Sequence, residues 1–259
     1  MDLAIVLDAS GQRLSPCSLE KARHLLAEAR ATLISEDPFT IQLPYAVARK
    51  TQPSAMQGQI EAHGRRLLLH ICCGPCSTYP IRHLRDQGFS VTGLWYNPNV
   101  HPYSEYERRR ECVRTYVEEV NLPVIWSKEY DISAYFDAVA GHEARGERCT
   151  LCYRLRLERT AQVARELHFE AFTTTLLISP YQEQAAIRSV GEELADRCGI
   201  TFHFENLRRG WHERGRVARQ HGLYQQRYCG CVYSEWEADV QRALSARSVR
   251  WQDKRGSRL

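Results

Sequence analysis

No stretch of this 259-residue chain approaches the ~20 consecutive apolar residues that a helix needs to cross a bilayer. Its start, Met1-Asp2-Leu3, has none of the basic-then-apolar pattern of an export signal, so we expect a cytosolic protein with no membrane partner. Internal repeats and low-complexity tracts are also missing, which removes solenoid and disordered architectures. The chain has 10 histidines but no His-x-x-x-His or comparable pair, so a zinc site built on paired imidazoles is not expected. His70 and His101 accordingly read as hydrogen-bonded structural residues. Strong charge of one sign is lacking too: the net charge is +4. Basic runs occur at Arg108-Arg109-Arg110, at Arg208-Arg209 and from Arg247 to Arg258, but such runs are more often solvated faces than nucleic-acid footprints, so charge alone does not argue for RNA.

Cysteine, by contrast, is plentiful. Seven of the 10 cysteines fall in three tight groups: Cys72-Cys73-Gly-Pro-Cys76, Cys149-Thr-Leu-Cys152 and Cys229-Gly-Cys231. In a reducing compartment closely spaced thiols are metal ligands or catalytic groups more often than disulfides. A tetrahedral zinc closes with about four ligands and a cubane iron–sulfur cluster also takes about four thiolates. The surplus leaves sulfurs for a second metal, a redox pair or substrate chemistry, and the chain reads as a redox enzyme. Cys17, Cys112 and Cys198 sit apart, the last two at core spacing within helices, and read as packing or surface thiols.

The length allows one large α/β domain with an appendage. Leu3 to Leu7 predicts a short strand, Leu19 to Ala29 a helix, and Ala31 to Ile34 and Phe39 to Leu43 further strands. This is a small N-terminal α+β unit over 1–50. The segment 51–64 carries Pro53, Ser54, Gly58 and Gly64 without a period and reads as a linker. From Arg65 strand and helix alternate: strands at Leu67–Ile71, Val91–Tyr96, Val124–Ser127, Ala171–Leu176 and Thr201–Phe204, and helices at Ser77–Asp86, Ser104–Val120, Ile132–Val139, Tyr153–Leu167 and Gln182–Cys198. Two further helices are expected near Val217 and Trp236. That order predicts a doubly wound parallel sheet over 65–245, followed by a basic tail at 246–259. Ser104-x-x-Glu107 reads as a capping box.

Ligands of open parallel sheets bind beyond the carboxyl ends of the strands. The first cysteine group follows the strand Leu67–Ile71, where Gly74 and Pro75 turn the chain into a helix whose N-terminus favours thiolates. A buried strand end with an incidental Cys-x-x-Cys is the alternative. Cys149 and Cys152 have a spacing that serves a cluster, a structural zinc or a redox pair alike. Gly230 lets Cys229 and Cys231 bend toward one point, although a flexible loop with two spare thiols would look the same. Two other strand-end segments, Tyr96 to Pro102 and Phe172 to Tyr181, offer Tyr96, Asn97, Thr173, Thr174, Thr175 and Tyr181 as polar contacts for a substrate. For the threonines β-propensity explains their presence equally well. Asp131 follows the third strand and reads either as a ligand or proton donor, or as a helix N-cap.

Taken together and in this order, the segments LLLHICCGPCS, YNPNVHPYSEYERR, EYDIS, ERCTLCYRLRLERTA, FTTTLLISPYQ and GLYQQRYCGCVYSE resemble the cobalamin-independent epoxyqueuosine reductases. The resemblance runs from about Arg65 to Glu237. It implies an adenine-nucleotide-hydrolase-like α/β core, a 4Fe-4S cluster with a second metal, iron by expectation, and a tRNA substrate carrying epoxyqueuosine in place of G at the wobble position. It also implies an electron donor, which the sequence leaves unidentified. Carried onto this sequence, Cys72, Cys73, Cys76, Cys149, Cys152, Cys229 and Cys231 are the metal-site residues, with their division between cluster and second metal open, and Asp131 is a weaker catalytic candidate. Unstacking the anticodon base would place Tyr96, Tyr181 or Trp211 as stacking platforms and Arg108, Arg109 and Arg110 near phosphates.

Two departures stand out. Glu205-Asn206-Leu207 occupies a place where the family usually has Asp-Phe-Arg. The N-terminal forty residues resemble the first segment of small transposon-encoded RNA-guided nucleases, with Arg13-Leu14-Ser15-Pro16 only partly matching their Pro-Leu-Met-Pro motif. A cluster-bearing tRNA thiolation enzyme is one rival, but the Ser-Gly-Gly-x-Asp-Ser phosphate loop it requires is replaced by Cys72 to Ser77. A non-catalytic zinc-stapled RNA-binding module is another, and it predicts zinc without iron.

Overall fold

The computed structural model describes residues 3–11, 17–45, 64–128 and 130–256. The chain forms two compact units, Met1–Ile60 and Glu61–Leu259. Except for Gly64, the expected linker at 51–64 lies outside the described residues, as do the motif at 13–16 and the last three residues of the basic tail.

In the smaller unit, strands β1 (Leu3–Leu7), β2 (Cys17–Ser18), β3 (Thr32–Glu36) and β4 (Phe39–Gln42) form a sheet of order β2-β1-β4-β3. β1 and β4 are parallel and the outer pairs antiparallel. Helix α1 (Leu19–Ala27) begins where Ser18 Oγ accepts the Lys21 N–H at 3.3 Å, a side-chain cap for an otherwise orphaned donor. Ala4, Val6, Ala22 and Ile41 close a small core between helix and sheet, with Cys17 packed against it.

The larger unit carries five parallel strands, β5 (Arg66–His70), β6 (Ser90–Trp95), β7 (Val124–Trp126), β8 (Ala171–Thr174) and β9 (Thr201–Phe202), in the order β7-β6-β5-β8-β9. The helices between them are α2 (Gly74–Asp86), α3 (Tyr103–Glu119), α4 (Ile132–Val139), α5 (Glu147–Glu166) and α6 (Gln184–Cys198), with α7 (Trp211–Gln220) and α8 (Val232–Gly256) after the last strand. This is the expected doubly wound sheet. β5 reads Leu67-Leu68-Leu69 because it is the central strand, covered on both faces; all three leucines are fully buried. Each stabilises the fold by about 1.5–3 kcal/mol, so a charge in place of Leu68 would collapse the centre of the molecule. Strand order reverses between β5 and β8, which opens a crevice beyond their carboxyl ends. No helix among the described residues is long and apolar enough to cross a membrane.

Several element boundaries differ from expectation for local reasons. The capping box expected at Ser104 and Glu107 does not form: Pro102 is the N-cap of α3, its carbonyl takes the Glu105 and Tyr106 N–H groups, and Glu107 pairs with Arg110 instead at 2.8 Å. α5 starts six residues before the expected Tyr153, after Gly146 at φ +101°, which brings both Cys149 and Cys152 into its first turns. The strand expected to reach Leu176 ends at Thr174, whose Oγ1 accepts the Leu176 N–H and starts a short 3-10 turn, Thr175–Ile178. The backbone of α8 continues through residues 246–256 of the basic tail.

Candidate metal centre

At the carboxyl end of β5 the chain turns into α2, and the sulfurs of Cys72, Cys73 and Cys76 all come within 4.8 Å of one another. Cys73 is the N-cap residue, and the Gly74-Pro75 pair fills the first turn. Gly74 is required for closeness: a Cβ there would stand 2.6 Å from Cys112 Sγ. Three sulfurs this near share charge. Hydrogen bonds from Cys72 and Cys76 hold the Cys73 thiol well below its usual pKa, while that same sharing pushes Cys72 up to about 12 and Cys76 upward as well. One thiolate therefore forms readily and the others ionise only with a further cation nearby, so the three sulfurs could together hold a metal ion.

Cys149 and Cys152, near the start of α5, and Cys229 and Cys231, just before α8, line one cavity of about 810 Å³ together with Cys72 and Cys76. Six of the seven grouped cysteines thus face a common space. The seventh, Cys73, accepts Gln226 Nε2 at 3.0 Å and sits 3.9 Å from Cys72 Sγ. Burial pushes Cys152 up to about 12. At Cys231 burial acts in the same sense, but the Ser234 hydroxyl and N–H, together with the nearby Tyr135 and Arg148, outweigh it and lower the thiol.

Buried cations surround these sulfurs. Arg109, Arg148 and Arg156 are each 3% exposed or less. Arg109 is fully engaged, with Nε on Glu105 at 2.8 Å and its terminal nitrogens on the carbonyls of Cys229 and Tyr228. Arg148 reaches Glu237 at 2.6 Å but leaves Nε without a partner. Arg156 donates from Nε to the Cys152 carbonyl at 3.1 Å and leaves Nη2 without one, and it feels the sulfurs of Cys152, Cys229 and Cys72, one from each group. A buried charge is tolerated only when compensated. A set of soft cysteine sulfurs on a cavity wall, with guanidinium groups against them and unused N–H donors among them, fits a thiolate-bound metal group carrying net negative charge.

His70 lies behind the centre as a neutral imidazole, its pKa pulled down to about 3 by burial and then by the Arg156 charge. Nε2 contacts the Tyr96 carbonyl at 3.2 Å, so that nitrogen carries the proton, and Nδ1 accepts from Thr174 Oγ1 at 2.9 Å. The expected reading of His70 as a hydrogen-bonded structural residue matches this geometry. His101 is likewise buried and bonded to the Pro98 carbonyl.

A family description, Epoxyqueuosine reductase QueH, matches residues 67–237, a span that contains all seven grouped cysteines. The chain belongs to the QueH family. A QueH of Dehalococcoides mccartyi is 37% identical over 172 residues, which cover 66% of this chain and 93% of that protein. A QueH of Thermotoga maritima is 40% identical over 176 residues, covering 65% and 89%. One of Haemophilus influenzae is 31% identical over 230 residues, covering 85% and 88%. Each of these proteins is described as an epoxyqueuosine reductase. The N-terminal residues 4–63 match a separate description, RRXRR protein.

Within this QueH chain the sequence-derived substrate contacts divide. Asn97 and Tyr181 line the cavity, as does Arg109. Arg109 requires a correction: expected near phosphate, it is 2% exposed and held by Glu105 and two carbonyls, because α3 packs against the loop that carries Cys229. Arg108 is exposed and lies over the Tyr224 ring, and Arg110 pairs with Glu107. Tyr96 is half-buried and outside the cavity wall. The three threonines are buried and bonded within the protein. Thr173 donates to the His203 carbonyl, Thr174 to His70, and Thr175 to Cys72 Sγ at 3.1 Å while accepting the Cys72 N–H. Asp131 caps α4, its Oδ1 accepting the Ala134 N–H at 3.1 Å. Arg148, Arg156, Gln226 and Trp236 went unforeseen. For Arg156 a signal existed: it stands four residues after Cys152 and seven after Cys149, on the same face of α5.

Proposed function

We propose that this chain reduces the cyclopentane epoxide of epoxyqueuosine, at the wobble position of a tRNA, to the cyclopentene of queuosine. The observation that carries the reading is the convergence of six thiols from three chain segments on one cavity, within a chain that belongs to the QueH family. The reaction consumes two electrons and two protons and releases water. A 4Fe-4S cluster with a second metal, iron by expectation, would supply the electrons singly and polarise the epoxide oxygen. Cys72, Cys73, Cys76, Cys149, Cys152, Cys229 and Cys231 would hold these groups.

The chain's own residues do the rest. Arg156 and Arg148 keep positive charge against the sulfurs. Thr175 orients Cys72 through its two hydrogen bonds. Asn97, fixed by donating to the Ile71 carbonyl at 2.8 Å, lines the cavity, and its buried Oδ1, which has no partner, would accept a hydroxyl of the modified base. Tyr181 would stack against a base and Arg108 would meet phosphate. Asp131, whose charge acts on the nearby Tyr96, is the candidate proton donor. The substrate, a tRNA, places the work in the cytoplasm, with an electron donor of unassigned identity.

The test is reconstitution with iron and sulfide, then single turnover with epoxyqueuosine-containing tRNA and a chemical reductant. We expect iron with acid-labile sulfide and conversion to queuosine. Stoichiometric zinc without iron would instead support the zinc-stapled RNA-binding module. Asp131→Asn, which retains the capping oxygen, is expected to slow turnover without loss of iron.

A further inference from the structure

The cavity that gathers the sulfurs also carries aromatic side chains that reduction chemistry does not use. Trp236 on α8 is 67% exposed and lines the cavity. Val232, Val240 and Leu244 stand one turn before, one turn after and two turns after it, at 42%, 40% and 55% exposure, so one apolar stripe of α8 is left uncovered. A second aromatic station comes from other elements. Tyr181, 72% exposed, meets the half-buried Trp211 edge to face at 5.9 Å, and both line the same cavity.

Cations are interleaved with these rings. The Arg214 guanidinium lies 4.2 Å from the Trp211 ring centroid and turns inward, its Nη2 donating to Cys76 Sγ at 3.8 Å, while the exposed Arg145 and Arg227 line the cavity as well. Of the acidic side chains on this wall, Glu237 is already paired with Arg148 at 2.6 Å, and Glu183 is the other. Planar apolar rings beside guanidinium groups match unpaired nucleotides, whose bases stack and whose phosphates pair. An apolar protein partner would match the stripe but leave these cations unneutralised.

We propose that Trp236, together with the Tyr181–Trp211 pair, forms the stacking stations for the nucleotides that flank the target nucleotide in an RNA loop, with the exposed Arg145 and Arg227 on their phosphates. The inference rests on the reading that an anticodon loop is the substrate. When one nucleotide leaves the stack to enter the cavity, its neighbours lose a stacking partner, and an aromatic ring replaces it at each side. Every base has a π-face, so this device holds the loop open without selecting the flanking bases. Specificity is left to the cavity.

The experiment uses the full-length, iron-loaded protein and a fluorescein-labelled 17-nucleotide anticodon stem–loop with G at the wobble position, read by anisotropy at fixed salt. Trp236→Ala and Tyr181→Ala touch exposed side chains, so both proteins should keep their iron while binding the loop about ten-fold more weakly. Trp236→Phe should restore most of the affinity, and changing the flanking bases should alter wild-type binding less than two-fold. Wild-type affinity in both alanine variants would overturn the proposal while leaving the reductase reading intact. Loss of iron together with affinity would overturn it by showing a structural role. A wild-type protein that prefers a duplex of equal length to the loop would contradict the reading beneath it as well as the proposal.

Discussion

Arg156 shows how much of this site depends on single side chains. Its guanidinium is buried among sulfurs from three segments, and a charge there is compensated once those sulfurs ionise as ligands to a bound metal. Arg156→Gln is therefore expected to weaken metal retention by about 10–100-fold, measured as iron per chain after passage over a chelating resin. Glu205 makes a different case. Burial alone would raise its pKa, but hydrogen bonds from Gln87 and His83 and the nearby Arg209 outweigh burial and lower it. A carboxylate lowered on folding contributes stability that is present above its ordinary pKa and lost as pH falls through the folded value. Glu205→Gln should lower Tm at pH 7 by about 2–4 °C, for a loss of about 1 kcal/mol, and flatten the acid limb of the stability curve. Arg156 was missed because a reading from sequence treats arginine as a surface residue. The threonines were read toward substrate because their period is that of a strand whatever their hydroxyls bond.

At the scale of elements, the site is a meeting of helix starts and a strand end: α2 after β5, the first turns of α5, and the loop that leads into α8. The spacings Cys-x-x-Cys and Cys-Gly-Cys, the apolar run of β5 and the alternation of strand and helix are local, so they were legible in the sequence. What brings the groups together is not local. Arg109 fastens α3 to the Cys229 loop through two carbonyls, and no spacing announces that contact. The same loop has room for nothing larger than glycine between its cysteines, since a Cβ at Gly230 would stand 2.9 Å from Asn99 Nδ2 and 3.4 Å from Arg109 Nη1. Gly230→Ala should displace Cys229 and Cys231 and lower iron content by about half or more while leaving the fold in place, with circular dichroism reporting the fold. The capping box at Ser104 failed for a related reason. Pro102 had already begun the helix, and a four-residue motif does not register its neighbours.

Considered whole, the chain joins a QueH unit to a small α+β unit that matches the RRXRR description over 4–63. We expect the smaller unit to contribute to tRNA docking, so deletion of residues 1–60 should weaken tRNA affinity and leave reduction of bound substrate unchanged. An electrophoretic shift of the truncated protein at wild-type affinity would remove that role. The central claim is the reaction itself. Its most direct measurement is mass spectrometry of tRNA nucleosides from a bacterium that lacks its own epoxyqueuosine reductase, with and without this gene, the protein being verified as soluble and iron-loaded. The account predicts that queuosine appears at the expense of epoxyqueuosine; epoxyqueuosine left unchanged would contradict it.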